Sequence, residues 1–201
     1  MKKPIQLTIP VLVIILSVIY FSSKNPPTST CEIVNDKKHI YKNQCLPDDY
    51  EPQVLTELSR RASYLDTYQY LDIRAKFAVE KLIDGAEKQG MCLIVLNSYR
   101  SFEDQLELLE HSADILDKLA PVGRSEHHTG LAVDFGGCPM SSKRDDSIER
   151  LELRNDFNEL PEYQWLLENA DSYGFEQSYT EDNQDLTGYP NEPWHWKMIV
   201  R

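Results

Sequence analysis

Two short stretches of the sequence carry side chains that together could bind a metal ion. The first runs from Ser125 to Asp134 and includes His127 and then Gly130, a residue type that lets the backbone turn freely. The second ends at His195. Two imidazoles and one carboxylate hold zinc in catalytic sites, where water takes the fourth coordination position. The two stretches therefore predict a catalytic zinc site with His127, Asp134 and His195 as ligands.

A second carboxylate, Glu192, lies three residues before His195 and is not needed as a ligand. Zinc lowers the pKa of its bound water to about 7, which makes that water a nucleophile at neutral pH. A carboxylate beside the metal can take the proton of this water and pass it to the leaving amine. The combination predicts a zinc peptidase with one zinc ion per chain and Glu192 as general base.

The remaining histidines, His39, His111 and His128, are interpreted as structural. A single histidine in a fold is more often a hydrogen-bonded core or surface residue than a ligand. His128 should point away from His127 if this segment is extended, because side chains alternate along a strand.

Size and charge limit the function further. The chain has 201 residues, 41% of them hydrophobic, so it can bury the core of one ordinary domain. Its formal net charge of −12 argues against nucleic acid as a partner. We expect a monomer. An anionic substrate would need local positive charge, which Arg100 and a metal could supply.

The motif Ser-x-His-x-x-Gly-x-Ala-x-Asp followed by Glu-Pro-Trp-His resembles the VanY-type D-alanyl-D-alanine carboxypeptidases. Their superfamily also holds D-Ala-D-Ala dipeptidases, lysostaphin-like enzymes and the hedgehog zinc domain. The likeness covers about Leu93 to Met198. Its other motifs are Ser98-Tyr99-Arg100 with Gln105, Gly123-x-Ser125-Glu126, Tyr173-Gly174-Phe175 and Thr187-Gly188. After Phe175 the family usually shows basic residues, whereas this chain has Glu176-Gln177-Ser178.

The resemblance implies a D,D-carboxypeptidase that removes the C-terminal D-alanine from peptidoglycan stem peptides, the target of glycopeptide antibiotics. It implies the same three zinc ligands and the same base. The implied substrate groups are Arg100, which would hold the scissile carbonyl as charge develops, and Ser125, Gln105 and Tyr99. An arginine stays charged at any working pH, so it suits an oxyanion.

Other readings stay open at this point. An L,D-carboxypeptidase or a D,D-dipeptidase of the same fold shares every motif named above. A zinc-containing domain that only binds cell-wall peptide would need neither Glu192 nor Arg100, and the presence of both favours an enzyme.

The N-terminal part predicts export. Lys2 and Lys3 precede an apolar run from Ile5 to Phe21. We interpret residues 1–4 as a cytoplasmic end, 5–21 as an uncleaved transmembrane signal anchor, 22–50 as a polar stalk and 51–201 as the peptidase domain. A cleaved signal peptide is the alternative. In both cases the domain lies outside the cytoplasmic membrane, on the periplasmic or cell-wall side.

Export makes disulfides plausible for the four cysteines, Cys31, Cys45, Cys92 and Cys138, although three pairings are open. Hydrophobic periodicity and caps predict an α+β fold, a small and largely antiparallel sheet with helices on one side. The resemblance makes it hedgehog-like or D-Ala-D-Ala-peptidase-like. The expected helices are Leu71–Gln89, one from Phe102 to about Leu119 with Ser101 as N-cap, and Pro161–Tyr173. The expected strands are Met91–Asn97, Leu131–Phe135 and Trp194–Val200.

Overall fold

A computed structural model of the chain describes residues 31–64, 67–112, 119–138 and 156–200. The secondary structure given below lies in one compact unit that begins at Glu32. Along the described chain, the first two strands form a parallel pair, the next two an antiparallel pair, and the remaining four one antiparallel sheet whose last two strands lie in reverse chain order. The prediction of a mixed fold with a small, largely antiparallel sheet is confirmed.

The strands are β1 Glu32–Ile33, β2 Gln44–Cys45, β3 Leu55–Glu57, β4 Tyr70–Asp72, β5 Leu93–Asn97, β6 Ala132–Gly137, β7 Phe175–Gln177 and β8 His195–Met198. The helices are α1 Ile73–Glu87, α2 Phe102–His111, α3 Pro161–Asn169 and the short α4 Gln184–Thr187. Strands β1 to β4 and β7 were not expected from the sequence, because two or three residues are too few to show a period.

Local sequence explains where the helices begin. Ser101 caps α2 through a capping box with Asp104, in which each side chain bonds the other residue's backbone N–H. Asp72 caps α1 by accepting from the N–H of Arg74. Helix α3 has Pro161 in its first turn, where a missing N–H costs nothing.

The main core lies on one face of the four-stranded sheet. Helices α1 and α3 pack there against the apolar side chains of all four strands, among them Val95, Phe135, Phe175 and Trp196. These side chains alternate along each strand with others that point to the opposite face. The opposite face carries the polar residues described in the next subsection, so the buried core fixes the position of that polar face.

Residues 32–50 pack on the domain where a stalk was predicted. Ile40 and Leu46 are fully buried. The backbone N–H of Lys42 donates to the carbonyl of Thr187, and that of Leu46 to the carbonyl of Gly123. This segment, which we call the arm (residues 32–46), is therefore part of the folded unit.

The predicted anchor, residues 5–21, lies outside the described residues, and so do the flanking segments 1–4 and 22–30. Among the helices of the part that the structure describes, none combines the length and the apolar composition needed to cross a membrane. Cys92 and Cys138 form a disulfide, and Cys31 and Cys45 are disulfide-bonded as well.

Gly130 lies in the turn that leads into β6 and closely approaches the backbone of Asp72, and substitution tests what this close approach contributes to stability. It has a φ of +66°, and a Cβ added there would lie 2.9 Å from the backbone nitrogen of Asp72. Gly90 has a φ of +80° with nothing within 4 Å of an added Cβ. We expect Gly90→Ala to cost about 1–2 kcal/mol for the left-handed conformation alone. Gly130→Ala should cost roughly 1–3 kcal/mol more because the backbone contact must open.

Urea unfolding of the two variants measures this difference directly. Equal losses of unfolding free energy in both would show that the close approach of Gly130 to Asp72 contributes nothing.

Candidate metal centre

Two of the predicted ligands lie side by side in the sheet. Asp134 in β6 and His195 in β8 are paired residues in the antiparallel register, so their side chains emerge on the same face as cross-strand neighbours. His127 comes from a single 3-10 turn, Glu126–Thr129, which is capped by Ser125 and ends at Gly130 in the left-handed conformation. The sheet and this turn bring three distant residues together.

One ligand atom from each of His127, Asp134 and His195 lies within 4.8 Å of the others, and all three residues are buried. The Nδ1 of His127 lies 2.7 Å from the carbonyl oxygen of Ser98. A carbonyl can only accept, so Nδ1 carries the proton and Nε2 keeps a lone pair. This Nε2 lies 3.3 Å from Oδ1 of Asp134. Two electron-pair donors therefore face each other, which suits a cation.

His195 is held between two carboxylates. Its Nδ1 lies 2.9 Å from Oδ1 of Asp134, and its Nε2 lies 3.0 Å from Oε2 of Glu126. Burial by itself lowers the pKa of His195, but hydrogen bonds to Asp134 and Glu126 outweigh burial and raise it to about 10. Burial lowers the pKa of His127, which favours its neutral form. Without a metal, His195 is thus a cation whose Nδ1 proton lies where a metal would bind.

A β-bulge aims a further group at the cluster. Val95 pairs with Phe135, yet Asn97 pairs with Asp134, so two residues of β5 oppose one residue of β6. As a result the Nδ2 of Asn97 donates to Oδ2 of Asp134 at 2.8 Å. This bond leaves Oδ1 of Asp134 facing both histidines.

Each ligand is therefore oriented by a second group: Ser98 for His127, Asn97 for Asp134 and Glu126 for His195. Such partners fix the tautomer and the orientation of metal ligands. Two imidazoles and a carboxylate with these partners fit zinc, and all three residues line one cleft. The ring of Tyr179 also stacks on His195, at 5.1 Å between centroids.

The cluster opens into a cleft that most of the other predicted site residues line: Arg100, Gln105, Ser125 and Glu192. The Nη1 of Arg100 donates to Oε1 of Gln105 at 2.9 Å, and Nε2 of Gln105 donates to the carbonyl of Ala120. Gln105 is fully buried, so it orients the guanidinium. The hydroxyl of Ser125 accepts from the N–H of His127 and caps the turn.

Tyr99 does not join this cleft. It lines a separate depression with Tyr50, Phe102 and several acidic residues. Its N–H donates to the carbonyl of Tyr70 while the next residue, Arg100, faces the metal cluster. Tyr99 and Arg100, although neighbours in the chain, therefore line two different depressions of the described surface.

The other histidines have structural partners. His128 is buried, its Nδ1 donating to the carbonyl of Arg100 and its Nε2 accepting from the N–H of Gly123. Burial lowers the pKa of His128 to about 4, so it stays neutral. His111 bonds the carbonyl of Glu107 within helix α2. His39 contacts Glu126 rather than any ligand atom.

Sequence reasoning missed three groups around the cluster: Asn97, Glu126 and the carbonyl of Ser98. No residue type or spacing in the sequence indicates the β-bulge that points Asn97 towards Asp134. A signal for Glu126 did exist, because Lys197 shares a strand face with the ligand His195. A lysine on the buried face of a strand requires a carboxylate nearby.

A buried His–Asp–His cluster in an α+β domain, open to a cleft that holds an arginine and a further carboxylate, has the architecture of a zinc metallopeptidase. A family model described as VanY, D-alanyl-D-alanine carboxypeptidase, matches residues 68–200. The chain belongs to this family, which confirms the resemblance seen in the motifs.

Individual relatives agree. The chain is 30% identical over 170 residues to a D-alanyl-D-alanine carboxypeptidase of Enterococcus faecium, covering 83% of this chain and 50% of that protein. The chain spans about half the length of the curated relatives it matches.

Solved structures share the fold. The LdcB LD-carboxypeptidase aligns with a TM-score of 0.69 at 26% identity, over 87% of this chain and 83% of that one. A variant of VanY, a vancomycin-resistance D,D-pentapeptidase from a VanB-type cassette in complex with Zn(II), aligns with a TM-score of 0.64 at 27% identity, over 82% and 88%.

Zinc binding should release a proton from His195. Its raised pKa keeps both ring nitrogens protonated near neutral pH, and a metal at Nδ1 must displace one of these protons. Affinity should therefore fall as the pH falls. Calorimetric titration at about pH 6.5, in two buffers of different ionisation enthalpy, should show release of about one proton per zinc. Equal binding heats in the two buffers would mean that zinc binding releases no proton, and would contradict a protonated His195 in the metal-free chain.

Proposed function

We propose that this protein is a zinc-dependent D,D-carboxypeptidase that removes the C-terminal D-alanine from peptidoglycan stem peptides. The observation that carries this proposal is the shared cleft: the three ligand atoms, Arg100 and Glu192 all face it. Family membership and the named activity of the Enterococcus faecium relative support the choice of substrate.

In this proposal each residue of the cleft has one role. His127, Asp134 and His195 would hold one zinc ion, which would supply Lewis acidity and lower the pKa of a water molecule at the site to about 7. Glu192 takes the proton of the attacking water and returns it to the leaving D-alanine amine.

The arginine has the complementary role. Arg100 donates to the carbonyl oxygen of the scissile bond as negative charge develops there, and Gln105 holds its guanidinium in place. Ser125 fixes the turn that carries His127 and lies in the cleft wall, where it can contact the peptide. An arginine suits this role because it presents a charged, planar donor at any working pH.

An L,D-carboxypeptidase is the second candidate. Its support is the likeness to the LdcB LD-carboxypeptidase, at a TM-score of 0.69 over most of both chains. The ligand cluster and the base serve either reaction, because the same amide chemistry occurs in both. Only the cleft walls that contact the residue before the scissile bond can distinguish them.

We also propose that the domain works outside the cytoplasmic membrane, anchored through residues 5–21, as a monomer. The disulfide between Cys92 and Cys138 supports an oxidising compartment. A cell-wall substrate requires the same location.

Replacing Glu192 by glutamine tests the proposed base. Glu192→Gln should bind zinc as the native chain does, because Glu192 is not among the ligands. Hydrolysis should fall by about 10²–10⁴-fold, the usual contribution of a positioned base. Glu181→Gln, an exposed carboxylate outside the cleft, is the matched control and should keep full activity. A Glu192→Gln chain that retains native turnover would remove Glu192 from this role.

The substrate is tested with the full-length zinc-loaded chain and stem peptides that end in D-Ala-D-Ala, D-Ala-D-Lac or L-Lys-D-Ala. Mass spectrometry should show loss of a single D-alanine from the first peptide. Preferential cleavage of the third peptide would establish the L,D reaction instead, and release of a dipeptide would establish a dipeptidase. His127→Ala, which lacks a ligand, should lose both zinc and activity and serves as the blank.

A further inference from the structure

A fully buried carboxylate lies directly behind the ligand His195. The side chain of Glu126 has no exposed surface, and its Oε2 lies 3.0 Å from Nε2 of His195. In a 3-10 turn, successive side chains point about a third of a turn apart. Glu126 and its neighbour His127 therefore reach His195 from different sides. Both residues line the cleft, but only His127 belongs to the cluster of ligand atoms.

The charge of Glu126 is balanced by a lysine that is equally buried. The Nζ of Lys197 lies 3.9 Å from Oε1 of Glu126, and neither side chain is exposed. Lys197 also donates to the carbonyl of Lys38 in the arm. Since His195 and Lys197 lie two residues apart on β8, both face Glu126 from the same side of the sheet. A buried ion pair persists only when hydrogen bonds satisfy its remaining atoms.

The arm supplies those remaining hydrogen bonds. The backbone N–H of Ile40 donates to Oε1 of Glu126 at 2.8 Å, and Nδ1 of His39 lies 3.2 Å from the same oxygen. Ser178, from the segment after β7, donates to Oε2. Both carboxylate oxygens are thus fixed by donors from three separate parts of the chain, and one donor is the ring of His195.

We propose that Glu126 is a positioning residue for His195, and that the arm segment Lys38–Ile40 keeps Glu126 in place. This inference rests on the proposed zinc site. By accepting from Nε2, Glu126 directs Nδ1 of His195 towards the metal and fixes the ring plane. The N-terminal arm, far from the ligands in sequence, then becomes part of what sets zinc affinity.

Glutamine at position 126 tests this directly. A carboxylate accepts on both oxygens, whereas an amide accepts on one side only. In Glu126→Gln, either His195 or the N–H of Ile40 must face an amide donor. We expect the dissociation constant for zinc to rise about 10–100-fold, as for other partners of metal ligands. The absorption spectrum of the Co(II)-substituted protein should shift because the His195 ring is no longer fixed.

Asp72→Asn is the matched control. Asp72 is also a fully buried carboxylate and pairs with Arg74, but it does not line the cleft. This variant should lose stability while its zinc affinity and Co(II) spectrum stay native. Glu126→Asp, which keeps the charge and shortens the reach, should bind zinc more tightly than Glu126→Gln if the charge on the His195 partner matters.

If Glu126→Gln fails to fold, the variant His39→Ala tests the proposed positioning role of Glu126 instead. The side chain of His39 is only 17% exposed but lies at the edge of the network, so its loss leaves Ile40, Ser178 and Lys197 in place. Zinc affinity should drop by a smaller factor, a few-fold. Native zinc affinity in His39→Ala and in every folded Glu126 variant would overturn the proposal.

Zinc binding is measured without peptide, so this test is independent of hydrolysis. A chain that binds zinc as expected but cleaves no stem peptide would refute the proposed function and leave the role of Glu126 standing.

Discussion

The candidate site depends on three electron-pair donors, from His127, Asp134 and His195, that lie close together in the protein interior. One ligand atom each from His127, His195 and Asp134 lies within 4.8 Å of the others. Oδ1 of Asp134 lies 3.3 Å from Nε2 of His127 and 2.9 Å from Nδ1 of His195. Such a group is unfavourable unless a cation or a proton lies among its members. In the metal-free chain the proton on His195 fills this role, which is why the pKa of His195 is raised to about 10 in spite of burial.

The strands around the cluster fix the positions of the ligands through backbone pairing. The antiparallel register between β6 and β8 sets Asp134 beside His195, and one bulge in β5 turns Asn97 towards Asp134. The core beneath is formed by side chains such as Val133 and Trp196, which alternate with the ligands along the same strands. A change of one residue in register would place the ligands in the core and expose the apolar residues.

Much of the fold and of the candidate site was predictable, because the signals for it lie within short stretches of the sequence. Each of the two ligand motifs taken separately, the capping box at Ser101 and the Pro161 start of α3 depend on residues a few positions apart. The packing of the arm was not predictable from the sequence, because Ile40 contacts residues that lie far along the chain. A polar segment with prolines is typical of a stalk, and its two buried apolar residues are too few to shift that pattern.

The same limit applies to Tyr99, whose role in substrate binding stays a prediction, and to Glu126, whose contacts were not predicted. Motif membership placed Tyr99 beside Arg100, but the direction of a side chain depends on backbone pairing, here with Tyr70. Glu126 was visible between Ser125 and His127 as one motif position among several. Its partners Lys197 and Ile40 come from opposite ends of the chain, and only the folded structure brings them together.

The balance of charge at the site connects the fold to the substrate. Three carboxylates, those of Asp134, Glu126 and Glu192, lie at or beside the cleft with Arg100 and the buried Lys197. With His195 protonated, the formal charges of these groups cancel. Replacing that one proton by a doubly charged zinc ion makes the site net positive, although the whole chain carries a formal charge of −12. A peptide that ends in a carboxylate would therefore be attracted to the metal-loaded cleft and not to the rest of the surface.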